Sequence, residues 1–107
     1  MLKFFLKSFL LFSLLLLHNH PAFAAQRPWK EIYDETHNLY DEGAYRQALK
    51  SATLLVKCAQ ENFSPADYRV AFSLNDLGRG LKLEGSYKES ETCYKRSFAI
   101  LNRANPK

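Results

Sequence analysis

Histidine is scarce in this chain, and its placement narrows the chemistry open to it. Of three histidines, His18 and His20 lie in an apolar N-terminal stretch, leaving only His37 beyond residue 24. One histidine cannot build a two-histidine metal site such as H-E-x-x-H, and neither a Gly-rich phosphate loop nor a G-x-S-x-G turn is present. Cysteine is nearly as rare. Cys58 and Cys93 with His37 contain the elements of a thiol nucleophile and its base, but all three fall inside predicted helices with no third group to orient the imidazole. Asp41-Glu42 and Glu89-x-Glu91 read as solvated surface, not as paired catalytic carboxylates. The sequence thus offers no catalytic, cofactor or metal constellation, and the expectation is a protein that is not an enzyme.

Long apolar runs are also missing. The longest, Ser8 to Leu17, covers about ten residues where roughly 20 are needed to cross a bilayer. Lys3 and Lys7 precede it, His18-Asn19-His20-Pro21 breaks it, and Ala22-Phe23-Ala24 follows with small residues around a bulky one. That order reads as a secretory signal over residues 1–24, cleaved after Ala24, with membrane contact only through this segment if it is retained. Export to the periplasm or the exterior is implied. Without Lys3 and Lys7, thirteen basic residues face eleven acidic ones, so the remaining chain carries about +2. These charges are interspersed and form no basic run, which argues against a nucleic-acid partner. Residues 25–107 form one small domain, near the size at which a single core supplies only a few kcal/mol.

Proline appears only where segments begin or end, at positions 21, 28, 65 and 106, and no stretch shows sustained alternation of apolar and polar residues. The apolar spacing is helical throughout. A first helix is expected from about Pro28 to Asp41 through Trp29, Ile32, Thr36 and Leu39, stopped by Gly43. A second runs from about Tyr45 to Gln60, with Ala48, Leu49, Ala52, Leu55, Val56 and Ala59 inward. Ser64-Pro65-Ala66-Asp67 reads as the start of a third, Ser64 accepting a backbone N–H and Pro65 taking the first helical position. Its stripe is Tyr68, Ala71, Leu74, Leu77, Gly78 and Leu81, and Gly85 stops it. The fourth carries Tyr87, Ser90, Tyr94, Ser97, Phe98 and Leu101 until Asn105-Pro106.

These segments repeat. Gly43-Ala44-Tyr45-Arg46-Gln47-Ala48 recurs as Gly85-Ser86-Tyr87-Lys88-Glu89-Ser90, every matched residue displaced by 42. A fixed period of this length marks repeated helical pairs that bury their apolar faces against one another. The second copy gives Leu74-x2-Leu77-Gly78-x2-Leu81 and then Ser90-x3-Tyr94-x2-Ser97. The first gives Ile32-x2-Glu35-Thr36-x2-Leu39 and then Ala48-x3-Ala52-x2-Leu55. Both resemble the tetratricopeptide repeat, and Ser73-Leu74-Asn75-Asp76-Leu77-Gly78 is similar to the longer, 42-residue repeats of kinesin-light-chain-like proteins. Glu35 departs from the pattern, as a terminal repeat facing water allows.

The resemblance implies an all-α fold of two antiparallel helix pairs in a short right-handed solenoid, with repeats over about 28–63 and 64–105. Gly43, Tyr45, Ala48, Gly78, Gly85, Tyr87 and Ser90 become structural positions, the two tyrosines packing at the corners between paired helices. Bulk at Gly78 or Ala48 would force helices apart. The first and third helices would line a concave surface carrying Tyr33, His37, Tyr40, Asn75, Arg79 and Lys82, able to hold a peptide through aromatic, amide and cationic contacts. By the period, Cys58 corresponds to Ile100, which leaves Cys93 out of register for an intrachain disulfide and favours free thiols. Two functions stay open: an exported module binding a peptide or partner protein on its concave face, or a self-associating, structural protein of the cell envelope. Two repeats are fewer than independent solenoids usually need, so a homodimer is also on the table.

Overall fold

The computed structural model describes residues 27–104, and every regular element among them is an α-helix. The helices are α1 (Trp29–Asp41), α2 (Tyr45–Asn62), α3 (Tyr68–Glu84) and α4 (Tyr87–Ala104). The predicted signal over 1–24 and the stop at Asn105-Pro106 lie outside the described residues. No described helix is long and apolar enough to cross a membrane.

Two glycines set the chain reversals. Gly43 (φ 76°) and Gly85 (φ 90°) hold the left-handed conformation that ends α1 and α3, where a Cβ would be strained although space is open. Tyr45 and Tyr87, expected at the corners, are 50% and 68% exposed. The corners are therefore made by backbone geometry, not by aromatic packing.

The start of α3 differs from the sequence reading. Ser64 Oγ does accept the Ala66 N–H, but this only closes a turn, and the helix begins at Tyr68 with Asp67 as its cap. Asp67 Oδ1 accepts the Arg69 N–H at 2.9 Å, and the Arg69 guanidinium grips both carboxylate oxygens while lying 3.5 Å from the Phe63 ring centroid. Aspartate wins over serine because its charge serves a first-turn N–H, the positive end of the helix dipole and a guanidinium together.

Each helix packs on the next, and hydrogen bonds show the pairs to be antiparallel. From α4, Ser90 donates to the Gly78 carbonyl and Ser97 to the Ala71 carbonyl. Between α1 and α2, the Thr36 and Ser51 hydroxyls meet at 2.6 Å. Small polar residues at these crossings let backbones approach while leaving no described buried side-chain polar atom unpaired. The apolar interior is thin. Its fully buried large side chains are Ile32, Leu55 and Leu74, with Val56, Ala59 and Val70 extending the core between α2 and α3.

Helix α3 is squeezed from two sides. A Cβ at Gly78 would lie 3.0 Å from the Tyr94 ring on α4; one at Gly80 would lie 2.6 Å from the Tyr40 hydroxyl and 2.9 Å from Leu49 Cδ1. Tyr94 is only partly buried and has room to swing, whereas Tyr40 is 2% exposed and its hydroxyl is bonded to the Asp76 carbonyl.

Gly80→Ala is therefore expected to lose about 1 to 2 kcal/mol, overpacking outweighing the roughly 1 kcal/mol gained in helix propensity. Gly78→Ala should be close to neutral, and Gly78→Leu strongly destabilising. Thermal melts of the three variants check this ranking, and equal midpoints for the two alanine variants would contradict it. A second expectation concerns acid. The Arg69 side-chain bonds, with the backbone bond, hold the Asp67 carboxyl down at about 2. Its stabilisation is thus present above the ordinary carboxylate range and lost as pH falls through about 2. Asp67→Ala should cost about 1 kcal/mol at neutral pH, a difference that urea titrations should find shrinking toward pH 2.

Candidate functional site

The surface where α1 meets α3 is built on an aromatic ladder. Trp29, Tyr33 and His37 stand four residues apart on α1 and stack in sequence, with centroids 4.8 Å and then 4.2 Å apart. Spacing by four puts them on one helix face. Trp29 is fixed from below, its indole N–H donating to Ser73 Oγ at 2.8 Å while Ser73 donates to the Arg69 carbonyl.

At the other end of the ladder His37 meets a buried carboxylate. Its Nε2 lies 2.9 Å from Asp76 Oδ2, and Asp76 is 4% exposed. With Asp76 ionised only the imidazole has a proton to give, so Nε2–H donates. Burial pushes the Asp76 carboxyl above its ordinary range, while the nearby His37 and Arg79 pull it back down. Beside it Tyr40 donates to the Asp76 carbonyl at 2.6 Å, and the Arg79 guanidinium sits 4.4 Å from the Tyr40 ring centroid. Burial, with the Asp76 charge next, pushes the Tyr40 phenol up to about 12. Helices α1 and α3 are thereby pinned by hydrogen bonds that each use a buried group.

Of the six sequence-predicted groove residues, Tyr33 and His37 are half-exposed on α1, and Asn75, Arg79 and Lys82 are exposed on α3. Tyr40 is the exception: at 2% exposure it is a core residue beneath Arg79, with no surface to offer a ligand. The period explains the error. Tyr40 occupies in the first copy the place of Lys82 in the second, but in the first copy α3 covers it.

Sequence reasoning missed three residues here. Tyr68 and Phe72 are 52% and 40% exposed, pack edge-on at 5.4 Å, and continue the face of Asn75, Arg79 and Lys82 toward the start of α3. The spacing 68, 72, 75, 79, 82 is one helical stripe, but Tyr68 was read as inward because it is apolar. Asp76 was passed over within Leu74-x2-Leu77; a lone charge flanking an apolar stripe was its available signal.

Asp76 is also the orienting group that His37 lacked in the sequence. No thiol shares the arrangement: Cys58 Sγ contacts the Arg27 carbonyl and Asn62, and burial raises both the Cys58 and Cys93 thiols. Both cysteines are free. Raised, buried thiols are poor nucleophiles. No group of three potential metal ligands gathers among the described residues.

No protein-family model matches the chain, and no characterised protein or solved structure is significantly similar to it.

His37→Ala should destabilise the protein by about 1 to 3 kcal/mol at neutral pH, because it leaves a buried carboxylate without its donor. Since Asp76 titrates upward, its desolvation cost is absent in acid and appears as pH rises through its folded value. The His37→Ala deficit should therefore be larger at pH 7 than at pH 3. Asp76→Asn should retain most of the stability at pH 7. Chemical denaturation at the two pH values reads both effects, and a pH-independent His37→Ala deficit would contradict the pairing.

Proposed function

We propose that the chain is a non-catalytic interaction module of two tetratricopeptide-like repeats, exported after removal of its leader, that binds an extended peptide or partner segment across α1 and α3. The observation that carries this reading is the exposed stripe Tyr68, Phe72, Asn75, Arg79 and Lys82, which has no acidic member and lies beside the Trp29–Tyr33–His37 ladder. Two large aromatic rings exposed on an otherwise polar helix face do nothing for the core. They suit an apolar ligand side chain.

From Tyr68 to Lys82 the helix rises about 21 Å, which matches roughly six extended residues. A ligand lying along it would place apolar side chains at Tyr68 and Phe72, bond its backbone to Asn75, and bring a carboxylate to Arg79 and Lys82. Arg79 is prepared for that role because the Tyr40 ring supports its guanidinium without satisfying its donors. The two-repeat solenoid supplies the rigid floor in this reading, with the His37–Asp76 and Tyr40–Asp76 bonds holding the walls in register.

Arg79→Glu should abolish co-purification of the native partner from the exported fraction while leaving helicity unchanged. Phe72→Ala should weaken it about tenfold or more. Retention of the same partner by Arg79→Glu would refute this groove.

A further inference from the structure

We propose that α4 is a self-association surface: two copies pair antiparallel about a two-fold axis near Tyr94, and Phe98 of each seats in a hollow on the other. This goes beyond the α1–α3 groove and uses a different helix, the two surfaces sharing Lys82.

The internal repeat shows what this face is shaped to do. On α2, Val56 and Ala59 are 8% and 0% exposed because Val70 and Leu74 of α3 cover them. Their counterparts 42 residues later, Phe98 and Leu101 on α4, are 70% and 37% exposed. The same register therefore presents a helix-receiving surface twice. It is filled once, by α3, and among the described residues lies open on α4.

The chain's own opposite end does not fit that opening. The flank of α3 that turns toward the first repeat carries Val70, Ser73, Leu77 and Gly80, whereas the matching positions on α1 are Pro28, Glu31, Glu35 and Asn38, all exposed. Glu31 and Glu35 are engaged with Arg27. Stacking α1 of one copy on α4 of another would bury those carboxylates against Phe98 and Leu101, which their desolvation opposes. Head-to-tail growth is thereby disfavoured, and the apolar stripe that matches α4 is α4 of a second copy.

Its spacing supports that pairing. Tyr87, Glu91, Tyr94, Phe98 and Leu101 alternate by four and three residues, the seam of a two-helix coiled coil. Tyr87, Ser90, Glu91 and Tyr94 surround an open hollow of about 480 Å³, rimmed by Lys82, Lys95 and the chain's own Phe98. Residues at i, i+3, i+4 and i+7 are the four that receive a knob. With the axis at Tyr94, antiparallel register places Phe98 of one copy over the middle of that hollow and Tyr87 opposite Leu101. Ser90 gives the hollow its depth. Glu91, paired with Lys95 at 2.9 Å, is the one carboxylate that each copy brings to this seam, against two in the head-to-tail stack.

One helix face is a small interface, and a dissociation constant of roughly 1 to 100 μM is expected. Sedimentation equilibrium of the purified protein across that range should show a monomer–dimer transition. Phe98→Glu, at a position 70% exposed in the monomer, should weaken it about 30-fold or more without changing the circular dichroism spectrum. Mixing Tyr87→Cys chains with Leu101→Cys chains under oxidation should give the mixed disulfide in preference to either homodimer. A monomer throughout the range, a dimer indifferent to Phe98→Glu, or preferential Tyr87→Cys homodimers would each overturn the proposal.

Discussion

The depth at which α3 settles against the first two helices governs the rest of the molecule. Gly80 lets it come close enough for the Tyr40 hydroxyl to reach a backbone carbonyl, and that approach carries Asp76 out of water toward His37. A methyl group at this crossing would lift the helix from its bed. The His37–Asp76 and Tyr40–Asp76 hydrogen bonds are two results of one close contact.

The same contact divides the polar groups by role. Hydroxyls at the crossings are cheap spacers: Thr36, Ser51, Ser90 and Ser97 each find a partner on the facing helix. Asp76 is costly, since a carboxylate that is buried must be compensated, and His37 does so from a half-exposed position. The imidazole therefore bridges the interior and the surface on which the proposed ligand would lie. Its orientation is set by the interior, while its face is offered to solvent.

Much of this was legible in the sequence where a single residue type answers a single geometric demand. Glycine at 43 and 85 marked the reversals because only glycine takes the left-handed conformation freely, and the helical spacing of small and apolar residues located all four helices to within about four residues. Failure came where two demands competed. Ser64-Pro65 satisfied every local rule for a helix start, but Asp67 with Arg69 and Phe63 satisfied more of them together. Tyr40 was read as groove-facing and Tyr68 as inward, and the structure reverses both, because how α3 packs decides which of them a neighbouring helix covers. Asp76 was hidden for the same reason: its partner is 39 residues away, and periodicity along one helix says nothing of what lies across it.

The packing of each helix against the one before it bears on how the chain acquires its shape. Every short link joins elements that touch, so most of the structure closes small loops, a topology associated with folding in microseconds to milliseconds. The hydrogen bonds of longest span, 36 to 44 residues, all join α1 to α3: Trp29 to Ser73, His37 to Asp76 and Tyr40 to Asp76. They require three helices already in place. A chain assembled this way has its surface ladder completed last, and transient opening of α1 would dismantle that ladder while α2, α3 and α4 kept their mutual contacts.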